Sequence, residues 1–180
     1  MLGAIVCVAL DDPFWPQLPV ASDPRVRRAP GGRERGDSVL AGLQALLAEG
    51  AGAEDWVLVH DAARPNLARQ DLDRLLAELA DDPVGGLLAV PARDTLKRAS
   101  ADGRVVQTVD RSVIWQAYTP QMFRLGALRE ALAQALKEGV AVTDEASAME
   151  WAGQSPRLIE GRADTRKAHP PAQLDYIQNI

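Results

Sequence analysis

The sequence is poor in the residues that build disulfide frameworks and zinc sites, and it has no long apolar run. Its 180 residues include one cysteine, Cys7, and two histidines, His60 and His169. A single cysteine excludes a disulfide within the chain and suits a reducing cytoplasm. So few cysteines and histidines argue against a zinc site. No uninterrupted apolar run approaches the roughly 18–20 residues that cross a bilayer, so we expect a cytoplasmic protein with no membrane partner.

The charge and the first residues of the sequence do not match the patterns of other classes. Its net charge is −5, from 20 basic and 25 acidic residues, which argues against a broad nucleic-acid-binding face. The N-terminal MLGAIVCVALDDP has neither the basic segment nor the small-residue exit of a signal peptide. Hydrophobic residues at 47% and charged residues at 25% are ordinary proportions for a globular protein. The length suits a single domain over residues 1–180.

Short apolar runs alternate with helical patterns along most of the chain. The predicted strands are 2–10, 56–59, 85–91, 140–143 and 156–161, and the predicted helices are 37–49, 71–82, 125–139 and a short helix after Asp144. Asp37 or Ser38 is the natural N-cap of the first helix, and Pro170 and Pro171 suit the start of a short terminal helix. The alternation predicts right-handed crossovers and an α/β fold with a parallel sheet.

The region 92–118 differs from the rest because it is too polar to form core strands. Its residues alternate around a plausible turn at ADG, which predicts an antiparallel arm projecting from the sheet. Thr95, Lys97, Arg98 and Arg111 place hydroxyl and cationic groups on this arm. An arm of that kind is exposed unless a partner covers it, so we expect a homodimer in which each arm packs against the other subunit.

The stretch WVLVHDAARPNL, at 56–67, is an apolar strand that ends in charged residues. In a parallel α/β sheet, ligands bind beyond the carboxyl ends of the strands, where Asp61 and Arg64 follow. A strand-end aspartate suits Mg²⁺, and an arginine can bind a phosphate with two hydrogen bonds. Ala62 leaves room for a ligand near the backbone. A salt bridge or a turn-capping aspartate explains the same residues equally well.

Three other segments combine anion-binding groups with simpler explanations. GGRERGDS, at 31–38, precedes a helix whose N-terminus attracts anions, and VTDEAS, at 142–147, joins a strand to a helix. GRADTRK, at 161–167, carries three cations. A flexible loop, a helix cap and a solvated charged loop account for the three segments without a ligand. No Ser/His/Asp or Cys/His arrangement for a nucleophile stands out. The groups that do occur are an aspartate, several arginines and lysines, threonines and anion-binding backbone, and these suit phosphoryl or nucleotidyl transfer.

Six motifs occur in one order along residues 1 to 167: GGRERGDSVLAGL, VLVHDAARPNL, PARDTLKR, TVDRSVIWQAYTPQMF, VTDEASAMEW and LIEGRAD. Together they resemble the 2-C-methyl-D-erythritol 4-phosphate cytidylyltransferases of the non-mevalonate isoprenoid pathway. The resemblance implies a Rossmann-like nucleotidyltransferase sheet with a β-arm that builds a homodimer. It also implies transfer of a cytidylyl group from CTP to methylerythritol phosphate, with Mg²⁺ and with release of pyrophosphate.

The resemblance also implies roles for individual residues. Arg111 and Lys167 match the catalytic pair that positions the acceptor phosphate, and Asp61 matches the carboxylate that serves Mg²⁺ and both substrates. The expected acceptor contacts are Asp61, Arg64, Thr95, Thr119 and Thr143, and the expected CTP contacts are Gly32, Arg35, Ser38 and Ala62. The implied mechanism is in-line attack by the acceptor phosphate, which is already anionic and needs no general base.

Two departures from the family pattern lead to further expectations. The glycine-rich PAAGxGxRM loop and PKQ segment, which hold the CTP triphosphate in the family, do not occur in the sequence. We expect the chain to be N-terminally incomplete and to release little pyrophosphate by itself. The tail after Lys167 also departs from the family. The alternatives are a cytidylyltransferase for another polyol phosphate, such as ribitol 5-phosphate, and a non-catalytic dimeric protein.

Overall fold

The structure, a computed structural model, describes residues 3–165. Within that range the chain forms two compact units. The first comprises residues 3–57 and 123–156, and the second comprises residues 58–122 and 157–165. Predictions for Lys167 and for a helix at Pro170 and Pro171 lie outside the described residues. No helix in residues 3–165 is long and apolar enough to cross a membrane.

The described residues contain eight strands and four α-helices. The strands are β1 (Ala4–Val8), β2 (Val26–Pro30), β3 (Trp56–Val59), β4 (Gly85–Pro91), β5 (Leu96–Ala99), β6 (Val105–Val109), β7 (Trp115–Arg124) and β8 (Arg157–Glu160). The helices are α1 (Arg35–Ala48), α2 (Arg69–Leu79), α3 (Leu125–Lys137) and α4 (Glu145–Trp151). β1 pairs with β2, β5 pairs with β6, and a four-stranded sheet has the order β3-β7-β4-β8.

The first unit packs helices on a short parallel sheet. β1 and β2 run parallel, with Ala4 opposite Val26. α1 lies close to β1, since a Cβ at Gly42 would sit 3.0 Å from the sulfur of Cys7. The apolar face of α3 is buried, as its spacing of leucines predicts, and the largest buried side chains of the unit are Leu43, Phe123, Leu125, Leu128 and Leu132.

The second unit is built around β4, which is buried along six of its seven residues. β4 pairs in parallel with β8, where Leu87 lies opposite Leu158. α2 turns Leu75 and Leu79 inward, and both are fully buried. An all-apolar strand beside an amphipathic helix is the arrangement that the sequence predicts for a parallel sheet covered by helices.

Most predicted elements are confirmed, with ends shifted by a few residues. The strands predicted at 2–10, 56–59, 85–91 and 156–161 are present, and so are the four helices. The arm is antiparallel, with Leu96 opposite Val109. Its two strands span 96–109, and residues 115–118 belong to β7 rather than to the arm.

Three predictions about local structure are wrong. No strand forms at 140–143, because Val140 donates its N–H to Ala135 at the end of α3, while the N–H of Thr143 bonds to Ser147 in the first turn of α4. The arm was predicted to extend to residue 118, but residues 115–118 begin β7, and β2 had no prediction from sequence. The N-cap of α1 is Glu34 instead of Asp37 or Ser38, because Asp37 occupies the third helical position and completes a reciprocal capping box.

Candidate active site

The predicted site residues within the described range fall into two groups, one in each unit. Asp61, Ala62, Arg64, Thr95, Arg111 and Thr119 lie in the second unit, and Gly32, Arg35, Ser38 and Thr143 lie in the first. Lys167 lies outside the described residues.

Asp61 begins a tight turn directly after β3. The backbone N–H of Arg64 donates to the carbonyl of Asp61 over 2.9 Å, so the two residues close the turn. Their side chains also form an ion pair, with 3.5 Å between Nε of Arg64 and Oδ2 of Asp61. The side chain of Arg64 is 12% exposed and that of Asp61 is 15% exposed. The salt bridge considered from sequence is therefore present, and it lies at the strand end where a ligand site was expected.

Thr119 fixes the start of this turn from β7. Its Oγ1 accepts the backbone N–H of Asp61 over 3.0 Å and lies 3.0 Å from Nδ1 of His60. Nε2 of His60 in turn lies 3.0 Å from the carbonyl oxygen of Arg64. Thr119 is 3% exposed. The structure therefore brings together Thr119 and Asp61, which were both predicted as acceptor contacts, and adds His60.

His60 is the uncharged member of this group at neutral pH. Burial of part of the ring lowers its pKa, while the carbonyl of Arg64 and the carboxylate of Asp61 act in the opposite direction. A neutral imidazole has one donor and one acceptor nitrogen. His60 therefore connects the groups around it without adding a charge beside Asp61.

Arg64 is held on several sides. Nη1 donates to the carbonyl of Thr165 over 3.0 Å, and the guanidinium carbon lies 4.6 Å from the ring centre of Tyr118. Nε of Arg64 is buried and makes no hydrogen bond beyond its 3.5 Å ion-pair contact with Asp61, and Oγ1 of Thr165 is buried with no hydrogen-bond partner. Buried polar atoms normally have hydrogen-bond partners. A polar ligand bound to this cluster would therefore supply hydrogen bonds that these two atoms lack.

Thr95 and Arg111 lie at the same end of the arm. Thr95 directly precedes β5 and Arg111 follows β6 by one residue, so the antiparallel register places both near the base of the arm. The guanidinium of Arg111 donates to the carbonyl of Arg93. Both predicted residues are exposed. They are thus available to a ligand or to a second subunit.

The loop before α1 is shaped by Gly32 and Ser38. The N–H of Gly32 donates to Oγ of Ser38 over 2.9 Å. A Cβ at Gly32 would overlap the side chain of Asp37, so only glycine lets the loop lie this close to the helix. The structure thus brings two of the predicted CTP contacts together at an exposed helix start.

Arg35 makes the strongest polar contact of the first unit. Its two terminal nitrogens donate to the two carboxylate oxygens of Glu145 over 2.6 and 3.0 Å. Glu145 is 1% exposed. Burial raises the pKa of Glu145, and the guanidinium of Arg35 offsets part of that effect. The pair ties the start of α1 to the start of α4.

Thr143 precedes α4 at an ordered helix cap. Asp144 accepts the N–H of Ser147 over 2.9 Å, which confirms it as the N-cap. The N–H of Thr143 donates to Oγ of Ser147 over 3.1 Å, while the residue remains exposed. Capping therefore explains Asp144, and Thr143 keeps an exposed hydroxyl beside the cap.

The described residues suit a cation held by one carboxylate. They contain no group of three or more His, Cys, Asp and Glu side chains that could bind a metal by themselves. Mg²⁺ usually keeps several waters and binds to one or two carboxylates together with substrate phosphates. Asp61 offers one such carboxylate at the end of β3, and in this structure that carboxylate pairs with Arg64.

Comparison with known proteins identifies the family of the chain. The sequence profile of the IspD family, the 2-C-methyl-D-erythritol 4-phosphate cytidylyltransferases, matches residues 2–180. The chain belongs to this family. A cytidylyltransferase of Ectopseudomonas mendocina is 76% identical over 178 residues, which are 99% of this chain and 76% of that protein. The enzyme of Pseudomonas aeruginosa is 69% identical over 98% of the chain and 75% of its own length.

Solved structures of IspD proteins have the same fold. The Francisella tularensis enzyme aligns with a TM-score of 0.86 and 31% identity, over 99% of this chain and 80% of its own. A 4-diphosphocytidyl-2C-methyl-D-erythritol synthase aligns with a TM-score of 0.85 and 42% identity, over 97% and 80%. The expected Rossmann-like nucleotidyltransferase fold is therefore confirmed, and the chain belongs to an enzyme family of nucleotidyltransferases.

Four residues of the two groups had no role predicted from sequence. Within the IspD motifs, His60 stands beside Asp61 and was noted only as a histidine. Tyr118, Thr165 and Glu145 are distant in sequence from the residues they contact. Only His60 gave a usable signal, because a polar ring directly after an apolar strand lies at the edge where ligands bind.

Proposed function

We propose that the chain transfers the cytidylyl group of CTP to 2-C-methyl-D-erythritol 4-phosphate in isoprenoid precursor synthesis. An oxygen of the acceptor phosphate attacks the α-phosphorus of CTP, the bond to the pyrophosphate oxygen breaks, and CDP-methylerythritol and pyrophosphate form. The observation that carries the proposal is the Asp61–Arg64 cluster at the end of β3, in a chain of the IspD family. The attacking phosphate is anionic, so the cluster needs no general base.

The acceptor side is proposed to use the second unit. Arg64 offers its guanidinium charge to a phosphate of the acceptor, and Thr119 holds Asp61 in place. Thr95 and Arg111 supply exposed groups at the base of the arm. Arg111 and Lys167 are proposed as the pair that positions the acceptor phosphate, and Thr143 as a further acceptor contact. Positioning and charge neutralisation supply most of the catalysis in such transfers.

The nucleotide side is proposed to use the loop before α1. Gly32 and Ser38 form a narrow, exposed loop against which a flat base could lie. Arg35 and Ala62 complete the proposed CTP contacts. A Mg²⁺ ion held by Asp61 would neutralise charge on the phosphates. The one cysteine forms no disulfide, which also suits our placement of the protein in the cytoplasm.

The acceptor preference can be tested by pyrophosphate release. With CTP and Mg²⁺, release should depend on methylerythritol phosphate and should be at least about tenfold slower with ribitol 5-phosphate, since an acceptor that leaves polar groups of the site unpaired is rejected strongly. The two acceptors are compared at equal concentration with the same protein sample. Equal rates, or a faster rate with ribitol 5-phosphate, would replace the proposed acceptor.

Calorimetry with CTP and Mg²⁺ separates the enzyme from a non-catalytic dimer. A catalytic member of the family should bind the nucleotide, and binding should weaken when Ser38 is replaced by alanine. A protein that dimerises but binds no CTP would fit the non-catalytic alternative.

The homodimer is proposed from the exposed apolar residues of the arm and its base. Val105, Val106 and Val113 are 65%, 61% and 75% exposed. Apolar side chains on a two-stranded projection have no core to cover them, and a second arm would remove them from water. Such a contact would place Thr95 and Arg111 of one subunit at the interface with the other.

The dimer is tested by charging the arm. Val106→Glu should convert the dimer to monomer in sedimentation experiments and lower the rate of product formation, because a charge at a buried interface is costly. Leu10→Glu is the matched control, since Leu10 is 74% exposed and lies outside the arm. A wild-type monomer, or dissociation by the control alone, would remove the proposed interface.

A further inference from the structure

His60 forms part of a closed ring of hydrogen bonds beside the acceptor cluster. Its two ring nitrogens reach two different elements: Nδ1 lies 3.0 Å from Oγ1 of Thr119, and Nε2 lies 3.0 Å from the carbonyl oxygen of Arg64. Oγ1 of Thr119 also accepts the backbone N–H of Asp61. The N–H of Arg64 donates to the carbonyl of Asp61 and closes the ring.

The acceptor and donor of each bond follow from the chemistry of the groups. A backbone carbonyl can only accept, so Nε2 of His60 must carry the proton that bonds to Arg64. In the neutral ring Nδ1 then has only a lone pair, and the hydroxyl of Thr119 must donate to it. Thr119 therefore donates once, to His60, and accepts once, from Asp61. For a neutral imidazole this is the one arrangement of hydrogens that satisfies all four bonds, whereas an imidazolium would donate from Nδ1 to Thr119; in either state the same atoms hold the turn.

We propose that His60 is a positioning residue of the acceptor site, which fixes the Asp61–Arg64 turn through the Thr119 hydroxyl and the Arg64 carbonyl. This inference rests on the proposed function, in which Asp61 and Arg64 act on the acceptor. It assigns the hydroxyl of Thr119 to holding the turn, whereas sequence resemblance assigned it to the acceptor. His60 acts through its neighbours and is not itself a catalytic residue.

The ring explains why a turn of small residues can hold charged groups in place. Ala62 and Ala63 make no side-chain hydrogen bonds, so the turn depends on its backbone and on its two ends. His60, the residue after β3, and Thr119 of β7 anchor those ends. Losing supporting contacts of this kind typically costs about 10- to 100-fold in activity or metal affinity.

Kinetics of matched variants test the positioning role. His60→Ala and Thr119→Val should each lower kcat/KM for methylerythritol phosphate by about 10- to 100-fold. The KM for CTP should change less than threefold, and Thr119→Ser, which keeps the hydroxyl, should retain most of the activity. Since both residues act through one ring, the double variant should be little worse than either single variant. Multiplied losses in the double variant would show that the two residues act separately.

Nitrogen NMR of the imidazole tests the ring without any turnover. Wild type should show His60 as the neutral tautomer protonated at Nε2, assigned by the signal lost in His60→Gln. In Thr119→Val the Nδ1 signal should move, because its hydrogen-bond donor is gone, while Thr119→Ser should leave it in place. A wild-type ring protonated at Nδ1 would overturn the inference. Absence of turnover with the expected tautomer would instead count against the proposed function.

Discussion

Arg35→Ala is expected to lower the free energy of unfolding by about 3–5 kcal/mol, because it leaves the buried carboxylate of Glu145 without its charged partner. The side chain of Arg35 itself is 31% exposed. Glu145 is 1% exposed, and both of its carboxylate oxygens accept from Arg35. Without the guanidinium, a charged carboxylate stays buried without its partner. Denaturant unfolding of the wild type and the variant measures the difference.

An exposed pair of the same residue types provides the control. Arg157 and Glu78 approach to 3.1 Å, but their side chains are 52% and 41% exposed. Arg157→Ala should therefore cost less than about 1 kcal/mol. Replacing both buried partners, as Arg35→Met with Glu145→Leu, should recover most of the stability. A loss below 1 kcal/mol in Arg35→Ala would show that the pair is not buried as described.

The same variant should show a characteristic pH dependence. Burial already raises the pKa of Glu145, and removing Arg35 raises it further because the guanidinium lowers it. For a carboxyl with a raised pKa, the contribution to stability is present below the unfolded pKa and is lost as pH rises through the folded value. The loss in free energy of unfolding caused by Arg35→Ala should therefore become smaller as the pH falls from 7 towards 4.

Asp61→Asn is expected to lower kcat/KM for methylerythritol phosphate by about 10²- to 10³-fold, on the order of the loss of one electrostatic contact to a reacting phosphate. The amide keeps the size of the side chain, and the backbone N–H of Asp61 still bonds to Thr119. The variant removes the charge that would face Mg²⁺ and Arg64. Steady-state kinetics with varied acceptor and Mg²⁺ measure the effect.

Asp73→Asn is the matched control for this change. Asp73 is 55% exposed in its side chain and pairs with Arg69 within α2. Its replacement should leave kcat/KM within about twofold, since an exposed pair of this kind contributes little. Melting temperatures of both variants confirm that the fold persists. An Asp61→Asn enzyme within threefold of wild type would remove Asp61 from the proposed site.

The sequence predicted contacts that depend on local order. Asp61 and Arg64 share one turn after an apolar strand, so their proximity follows from the strand and from the three-residue spacing. Arg35 and Glu145 lie 110 residues apart, and nothing in either local pattern indicates their pairing. His60 and Thr119 are separated by 59 residues for the same reason. Polar pairs between residues far apart in the sequence could therefore be identified only from the structure.

The elements that were missed had patterns that favour other conformations. β2 reads Val-Arg-Arg-Ala-Pro, and only Ala29 is buried, so the strand lacks the apolar run of its neighbours. β7 contains Thr119 and Pro120 in its middle, and proline is unusual inside a sheet. At 140–143 the apolar run is short, and the N–H groups of Val140 and Thr143 form hydrogen bonds at the end of α3 and the start of α4 instead of in a sheet.

Phosphorus NMR of the complete reaction tests the central proposal most directly. Because slow turnover is expected of a chain without the glycine-rich loop, the protein is used at a concentration near that of the substrates. With CTP, Mg²⁺ and methylerythritol phosphate it should form a coupled pair of diphosphate signals and an equal amount of pyrophosphate. Omitting methylerythritol phosphate should abolish both products, and Asp61→Asn should slow both together. Pyrophosphate formed without the acceptor, or an unchanged mixture after prolonged incubation, would contradict the proposed cytidylyl transfer.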